Sequence, residues 1–171
     1  MSEKINVVWF KRDLRLKDHA PLYYASEADL PLLLVYFIEH SLVTAPQSDD
    51  RHWRFIWQSL EELYKSLIPY GGETQIIHQE VIPYLEKLRS RYRVNAVYSH
   101  QETGIKITYV RDKAVQSFLC KYGIDWFEYK SHGVSRGRID RKGWSKEWYS
   151  FMIQPTLEPQ NADRSDWDKQ D

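Results

Sequence analysis

Hydrophobic residues along this chain fall into five short runs, and amphipathic stretches separate them. The runs cover residues 6–10, 32–38, 74–78, 95–100 and 124–129. Short apolar runs that alternate with helical patterns are typical of buried parallel strands joined by crossover helices. The run at 32–38 is almost continuously apolar, so we expect it to be the central strand. The pattern predicts an α/β fold with a five-stranded, parallel, doubly wound sheet.

Apolar residues spaced three and four positions apart mark the helices between these strands. Asp18 is placed to cap the first helix, and a long helix is predicted from Asp49 or Asp50 to about Leu67. The inner face of this long helix is predicted to comprise Trp53, Ile56, Trp57, Leu60, Leu63, Tyr64 and Leu67. Two later helices are predicted around residues 81–88 and 103–121.

The chain changes character after residue 130, so we predict an α/β domain over residues 1–130. Residues 131–157 are expected to form a basic loop and an aromatic segment that leads toward another domain. A linker that packs on that domain is favoured here, and contact with nucleic acid phosphates is the alternative. Residues 158–171 carry five acidic residues against two basic ones, which is typical of a solvated linker or tail.

Length and composition limit the classes of protein to consider. A chain of 171 residues suits one domain, and its 24 basic and 24 acidic residues create no net field for nucleic acid or membranes. Cys120 is the only cysteine, so no intramolecular disulfide can form, and its apolar neighbours predict a buried position. No leader or membrane-spanning run is evident, which predicts a cytoplasmic protein without membrane contact.

The loop after the first strand is unusual because it contains no glycine. The first glycine of the chain is Gly71, which excludes a glycine-rich dinucleotide loop or a P-loop at this position. The loop instead carries the charged residues Lys11, Arg12, Asp13, Arg15, Lys17 and Asp18. Any ligand here would therefore be bound by side chains.

Three stretches resemble the DNA photolyase/cryptochrome family. The run from Val8 to Leu22 reads as a strand, an R-D-L-R turn and a D-H helix start. Residues 51–60 and the segments 98–104 and 109–112 are similar to later parts of the same family. The resemblance extends from about residue 7 to residue 152 and identifies the amino-terminal, antenna-type α/β domain. It implies a Rossmann-like sheet with strand order 3-2-1-4-5.

The resemblance also implies a function for a longer protein. Members combine this domain with a carboxy-terminal helical domain that holds FAD, and they perform light-driven repair of pyrimidine dimers in DNA or photoreception. The α/β domain often holds an antenna chromophore, namely FMN, a deazaflavin or a folate. Residues 105–109 lack the Asn-Glu pair that commonly contacts folate, which disfavours folate. We expect a piece of a blue-light flavoprotein that contributes no catalytic residues of its own.

With that strand order, ligands should bind beyond the carboxyl ends of the first and fourth strands. An aromatic face, a guanidinium, two carboxylates and several hydrogen-bonding groups there suit a planar heteroaromatic ligand with an acidic or amide edge. The candidate binding residues are Phe10, Lys11, Arg12, Asp13, Glu39, His40, Ser99, His100, Gln101 and Glu102.

Each of these candidates also has a purely structural interpretation. Arg12 and Asp13 could form an ion pair that shapes the turn, Phe10 could be a core residue, and the histidines could lie at the surface. No metal site is predicted, because the six histidines lack metal-type spacing and no cysteine pair exists. For the whole chain, the alternative is a free-standing module that binds small molecules, nucleotides or proteins.

Overall fold

A computed structural model describes residues 2–134, 136–137 and 139–158 of the chain. Its five parallel strands are β1 (Lys4–Phe10), β2 (Leu32–Phe37), β3 (Thr74–Ile77), β4 (Arg93–His100) and β5 (Asp125–Tyr129). They form one sheet in the order β3-β2-β1-β4-β5, which confirms the predicted fold class and strand order. Most of the predicted acidic tail, from residue 159 onward, lies outside the described residues.

The central strand is β1, so the prediction that residues 32–38 would occupy the centre was wrong. β1 pairs with β2 on one side and with β4 on the other, while β2 lies between β1 and β3. Both strands are thus hydrogen-bonded along both edges and covered on both faces. An apolar run shows that a strand is interior, but it does not distinguish the centre from the adjacent place.

Helices cover both faces of the sheet. They are α1 (Ala20–Glu27), α2 (His40–Val43), α3 (Asp50–Leu67), α4 (Val81–Arg91), α5 (Lys106–Lys121) and α6 (Trp144–Met152). α4 and α5 pack against one face of β1, including Val7 and Trp9, and α1 and α3 pack against the other, including Val8 and Phe10. This division follows from the alternation of side chains along a strand.

The cap of α1 differs from the prediction. His19, not Asp18, is the N-cap residue, and its Nδ1 accepts a hydrogen bond from the backbone N–H of Leu22 at 3.1 Å. Asp18 lies one residue earlier in the left-handed region, with φ of 52°. Its N–H donates to the carbonyl of Leu157 at 2.8 Å, so the chain beyond α6 returns to the β1–α1 loop.

The buried face of α3 is narrower than predicted. Leu60, Leu63 and Leu67 are buried, whereas Trp57 is 52% exposed and its indole N–H donates to Glu61. An apolar residue at the edge of the buried face of α3 fits the spacing of three and four residues, but its side chain does not reach the sheet. The prediction for the Trp57 and Tyr64 positions was therefore wrong, as was the prediction that Cys120 is buried.

The aromatic segment forms α6, which has no buried residue. It contacts the preceding loop through Trp148, whose ring and backbone leave no space for a side chain at Gly133. The boundaries proposed at residues 130 and 157 remain predictions. Among the described residues, no helix combines the length and apolar character that crossing a membrane requires.

Candidate functional site

Asp13 is the junction of the predicted site. This buried carboxylate accepts three hydrogen bonds: from the backbone N–H of Lys11 at 2.7 Å, from Nε2 of His19 at 2.6 Å, and from Nδ1 of His100. These contacts join the end of β1, the start of α1 and the end of β4. Arg12 takes no part in them, so the proposed ion pair between Arg12 and Asp13 was wrong.

The hydrogen-bond pattern fixes the protonation of this junction. Because Nδ1 of His19 accepts from Leu22, the neutral ring carries its proton on Nε2, which donates to Asp13. Burial lowers the pKa of His19 and keeps the ring neutral. Burial alone would raise the pKa of Asp13, but hydrogen bonds from His100 and His19 outweigh it and hold this pKa far below its ordinary value. Asp13 is therefore an ionised carboxylate that accepts hydrogen bonds from the rings of His19 and His100.

One potential metal-binding group involves the same atoms. Single ligand atoms of Asp13, His19 and His100 lie within 4.8 Å of one another. A metal at His19 would need the lone pair of Nε2, but that nitrogen carries the proton donated to Asp13. The three side chains already satisfy one another, so this arrangement acts as a structural junction. Spacing could not reveal it, because its members come from three separate elements.

A second buried network lies beside the first. The ammonium group of Lys11 lies 3.0 Å from Asp112 and 4.3 Å from the centre of the Trp9 ring, and burial lowers its pKa despite the attraction of Asp112. Arg111 donates to Glu39 at 2.6 Å. Burial raises the pKa of Glu39 to about 7, and Arg111 opposes that rise. Lys11 and Glu39 thus each have a partner of opposite charge within the protein.

Several other predicted residues are buried in the core or form hydrogen bonds within the fold. Phe10 is fully buried in the core, which is its structural interpretation. The hydroxyl of Ser99 accepts a hydrogen bond from the indole of Trp126 at 3.0 Å, and the backbone N–H of Gln101 donates to Tyr129 at 2.7 Å. His40 is exposed at the start of α2. The predicted residues thus meet at one edge of the sheet, but most of them are engaged by other groups of the protein.

An open cleft of about 760 Å³ lies one strand further along, beside the carboxyl ends of β4 and β5. Its floor includes Glu102, Asp112, Trp126, Glu128 and Arg136, and one wall is the face of α5 that carries Lys106, Tyr109, Lys113 and Gln116. Among the predicted residues, Glu102 lines this cleft, and Lys11 lies directly beneath it through Asp112.

Arg136 closes the charge network of the floor. Its guanidinium lies 3.2 Å from the carboxylates of both Glu128 and Asp112, and its Nε donates to the carbonyl of Glu102 at 2.6 Å. Lys11 and Arg111 also contact Asp112. Each carboxylate of the floor therefore lies within 4.0 Å of at least one cation. Arg136 belongs to the basic loop that was interpreted as a linker, yet it turns back onto the sheet.

Arg12 connects the loop after β1 with the cleft beside β5. Its side chain is 64% exposed, and its Nε lies 3.4 Å from the carboxylate of Glu102. Gly104 lies directly beneath the guanidinium, and a Cβ there would overlap both Arg12 and Glu102. The absence of a side chain at residue 104 therefore lets the arginine reach across the β4–α5 loop.

Sequence reasoning missed most of the cleft. A usable signal was present in α5, where Lys106, Tyr109, Lys113 and Gln116 follow one another at intervals of three, four and three residues. Such spacing places all four on one face of a helix, and that face is polar and aromatic rather than apolar. No comparable signal linked Trp126, Glu128 and Arg136 to it.

Comparisons with known proteins agree with this architecture. The family model for DNA photolyase matches residues 6–143. The chain is similar to a deoxyribodipyrimidine photo-lyase of Alkalihalophilus pseudofirmus, with 26% identity over 75% of this chain and 27% of that protein. It is also similar to Cryptochrome-1 of Sinapis alba, with 30% identity over 72% of this chain and 24% of that protein.

Solved structures share the fold. An archaeal photolyase from Sulfolobus tokodaii, crystallised with two FAD molecules, matches 90% of this chain and 36% of its own, with a TM-score of 0.74 at 20% identity. A cryptochrome from Synechocystis matches 95% of this chain and 37% of its own, with a TM-score of 0.76 at 19% identity. The chain spans about a quarter of the length of these curated relatives and just over a third of the solved chains.

Proposed function

Because the chain belongs to the DNA photolyase family and corresponds to the amino-terminal domain of photolyases and cryptochromes, we propose that its cleft beside β5 holds an antenna chromophore. In this proposal, the domain passes excitation energy to FAD in a carboxy-terminal helical domain. The longer protein would then use blue light for repair of damaged DNA or for photoreception. A cytoplasmic location stays a prediction from the sequence.

The observation that carries the proposal is the cleft itself. Its volume of about 760 Å³ lies within the range of roughly 300–1,000 Å³ that is typical of small-molecule sites. Trp126 and Tyr109 offer aromatic surface, and a charge-neutralised floor supplies hydrogen-bonding groups. These features suit a planar ring system with polar edges, such as FMN or a deazaflavin.

The relatives support the same proposal. The Sulfolobus tokodaii photolyase was described with two FAD molecules and with the implication of a novel light-harvesting cofactor. That protein shares the fold of this chain, so a second chromophore is compatible with the architecture. Folate remains disfavoured by the sequence of residues 105–109.

Reconstitution of the purified chain tests the proposal. We would add FMN, a deazaflavin and a folate separately, and measure bound chromophore by absorption and fluorescence after gel filtration. A Gln116→Trp variant should fill the cleft from an exposed wall position and weaken binding at least tenfold. Ala114→Trp places the same ring on α5 at an exposed residue that does not line the cleft, and should bind as the unmodified chain does.

Two outcomes would contradict the proposal. Failure of all three chromophores to bind would remove the antenna role from this cleft, and unchanged binding by Gln116→Trp would move the chromophore elsewhere. Arg12→Ala then tests the position first predicted between β1 and β4, because this exposed side chain is replaceable without opening the core. His100→Ala is a poorer probe, since it also removes a hydrogen bond from the buried Asp13.

A further inference from the structure

One wall of the cleft differs electrostatically from its floor. Lys106 and Lys113 lie two turns apart on the same face of α5, with Tyr109 between them. The ammonium group of Lys113 lies 4.6 Å from the centre of the Tyr109 ring. Within the described ranges, neither lysine has a carboxylate at salt-bridge distance. The wall therefore presents two available cations, one of which, Lys113, lies over an aromatic ring.

The floor cannot supply a comparable anion site. Arg136 is already engaged by Glu128, Asp112 and the carbonyl of Glu102. Lys11 lies beneath the floor, where it pairs with Asp112. An anionic group placed on the floor would meet cations that carboxylates already engage, whereas at the α5 wall it would meet two ammonium groups with no carboxylate at salt-bridge distance in the described structure.

We propose that Lys106 and Lys113 bind the anionic tail of the ligand, so that the cleft selects a planar ring bearing a phosphate or carboxylate over the same ring without a charge. The ring would lie over Trp126, and the tail would extend along α5 toward the solvent. Lysine suits this role because its ammonium group on a flexible stem acts as a mobile point charge. The inference rests on the proposed function and adds the charge of the ligand to it.

FMN and riboflavin test this inference directly, because they share one ring system and differ by a phosphate group. Each is titrated into the purified chain, and binding is followed by quenching of flavin fluorescence. At low ionic strength, FMN should bind roughly 5- to 30-fold more tightly than riboflavin, as expected for two exposed ion pairs. Added salt should reduce this advantage, since exposed charges are screened.

The double variant Lys106→Gln/Lys113→Gln should abolish the advantage of FMN while changing riboflavin affinity less than twofold. Lys65→Gln/Lys87→Gln is the matched control, because it removes the same charge from exposed positions on α3 and α4. This control should keep the advantage. Loss of preference in both double variants would indicate a net-charge effect and overturn the assignment of the tail to these lysines.

The remaining outcomes separate this inference from the proposed function. Equal affinities of the unmodified chain for FMN and riboflavin would overturn the selection of a charged tail while leaving a ring-binding cleft. A preference for FMN that survives in Lys106→Gln/Lys113→Gln would overturn the role of these two residues. If neither flavin binds, and a deazaflavin and a folate do not bind either, both the proposed function and this inference are contradicted.

Discussion

The end of β1 and the cleft beside β5 use the same kinds of side chains, yet one is closed and the other is open. The Asp13 carboxylate accepts three hydrogen bonds from within the protein. In the cleft, Arg136 and Glu128 are paired but remain partly exposed, and the lysines of the α5 wall have no carboxylate partner in the described structure. A cluster of polar residues therefore indicates a ligand site only where some of its hydrogen-bonding capacity remains available.

The largest expected effect comes from breaking the closed region. Asp13→Asn should lower the free energy of unfolding by about 3 kcal/mol. The amide has one oxygen where the carboxylate has two, so it loses either the bond from the Lys11 N–H or the bonds from both rings, and it also loses the carboxylate charge. Urea unfolding followed by tryptophan fluorescence measures this difference. Asp125→Asn, at an exposed residue of β5, is the control. A loss below 1 kcal/mol for Asp13→Asn would show that the junction is not important for stability.

A smaller effect concerns the pH dependence of the same region. The pKa of Glu39 in the folded protein is about 7, above its ordinary value of 4.5, so the folded state binds the proton more tightly than the unfolded chain. The corresponding stability is complete below pH 4.5 and is lost as the pH rises through about 7. Glu39→Gln cannot ionise, so it should lack this loss.

Urea unfolding at pH 5 and pH 8 checks that expectation. The stability of the unmodified chain relative to Glu39→Gln should fall by roughly 2–3 kcal/mol between the two pH values. Glu86→Gln, at an exposed position of α4, should show no such change. A constant difference between the unmodified chain and Glu39→Gln would contradict the raised pKa.

Crowding between residues 12 and 104 should change the free energy of unfolding by about 1 kcal/mol. In Gly104→Ala, the added Cβ displaces Arg12 and crowds Glu102, so stability should fall by roughly that amount. The part of the loss that comes from Arg12 should disappear in an Arg12→Ala background, while the part that comes from Glu102 should remain. Gly72→Ala is the control, since its Cβ would meet Leu67 at an ordinary 3.5 Å. Equal losses in both backgrounds would argue against contact between residues 12 and 104.

The smallest effect is expected in the open region. Lys106→Gln and Lys113→Gln should each change the free energy of unfolding by less than about 0.5 kcal/mol, because the two ammonium groups are exposed. Thermal unfolding of each variant measures the change. A clear loss of stability would mean that these lysines stabilise the fold, as Asp13 does, and would contradict the difference between the two regions.

Much of the fold could be predicted because strands and helices leave local signals. Apolar runs located all five strands to within two residues at each end. The strand order came from the resemblance to a family, since periodicity does not report neighbours. The central place of β1 was missed because β2 is equally enclosed, and Trp57 was misplaced because its spacing also fits the edge of the buried stripe.

The predicted residues lie at the same carboxyl edge of the sheet as the cleft, one strand away from it. The rule for parallel sheets points to this edge, and Glu102 is shared by the prediction and the cleft. What the sequence could not show is that Asp13 and His100 fill the space between β1 and β4. It also could not show that Arg136, from a distant loop, would complete the floor. Both depend on contacts between residues that are far apart in the chain.

The backbone contact between Asp18 and Leu157 anchors the end of the described chain to the sheet. It brings the chain, after its excursion through α6, back to the loop that follows β1. That loop and the cleft lie at the same edge of the sheet, so Leu157 is held on the side where a chromophore would lie under the proposed function. Because the contact is a backbone hydrogen bond, replacing the side chain of either residue leaves its donor and acceptor in place.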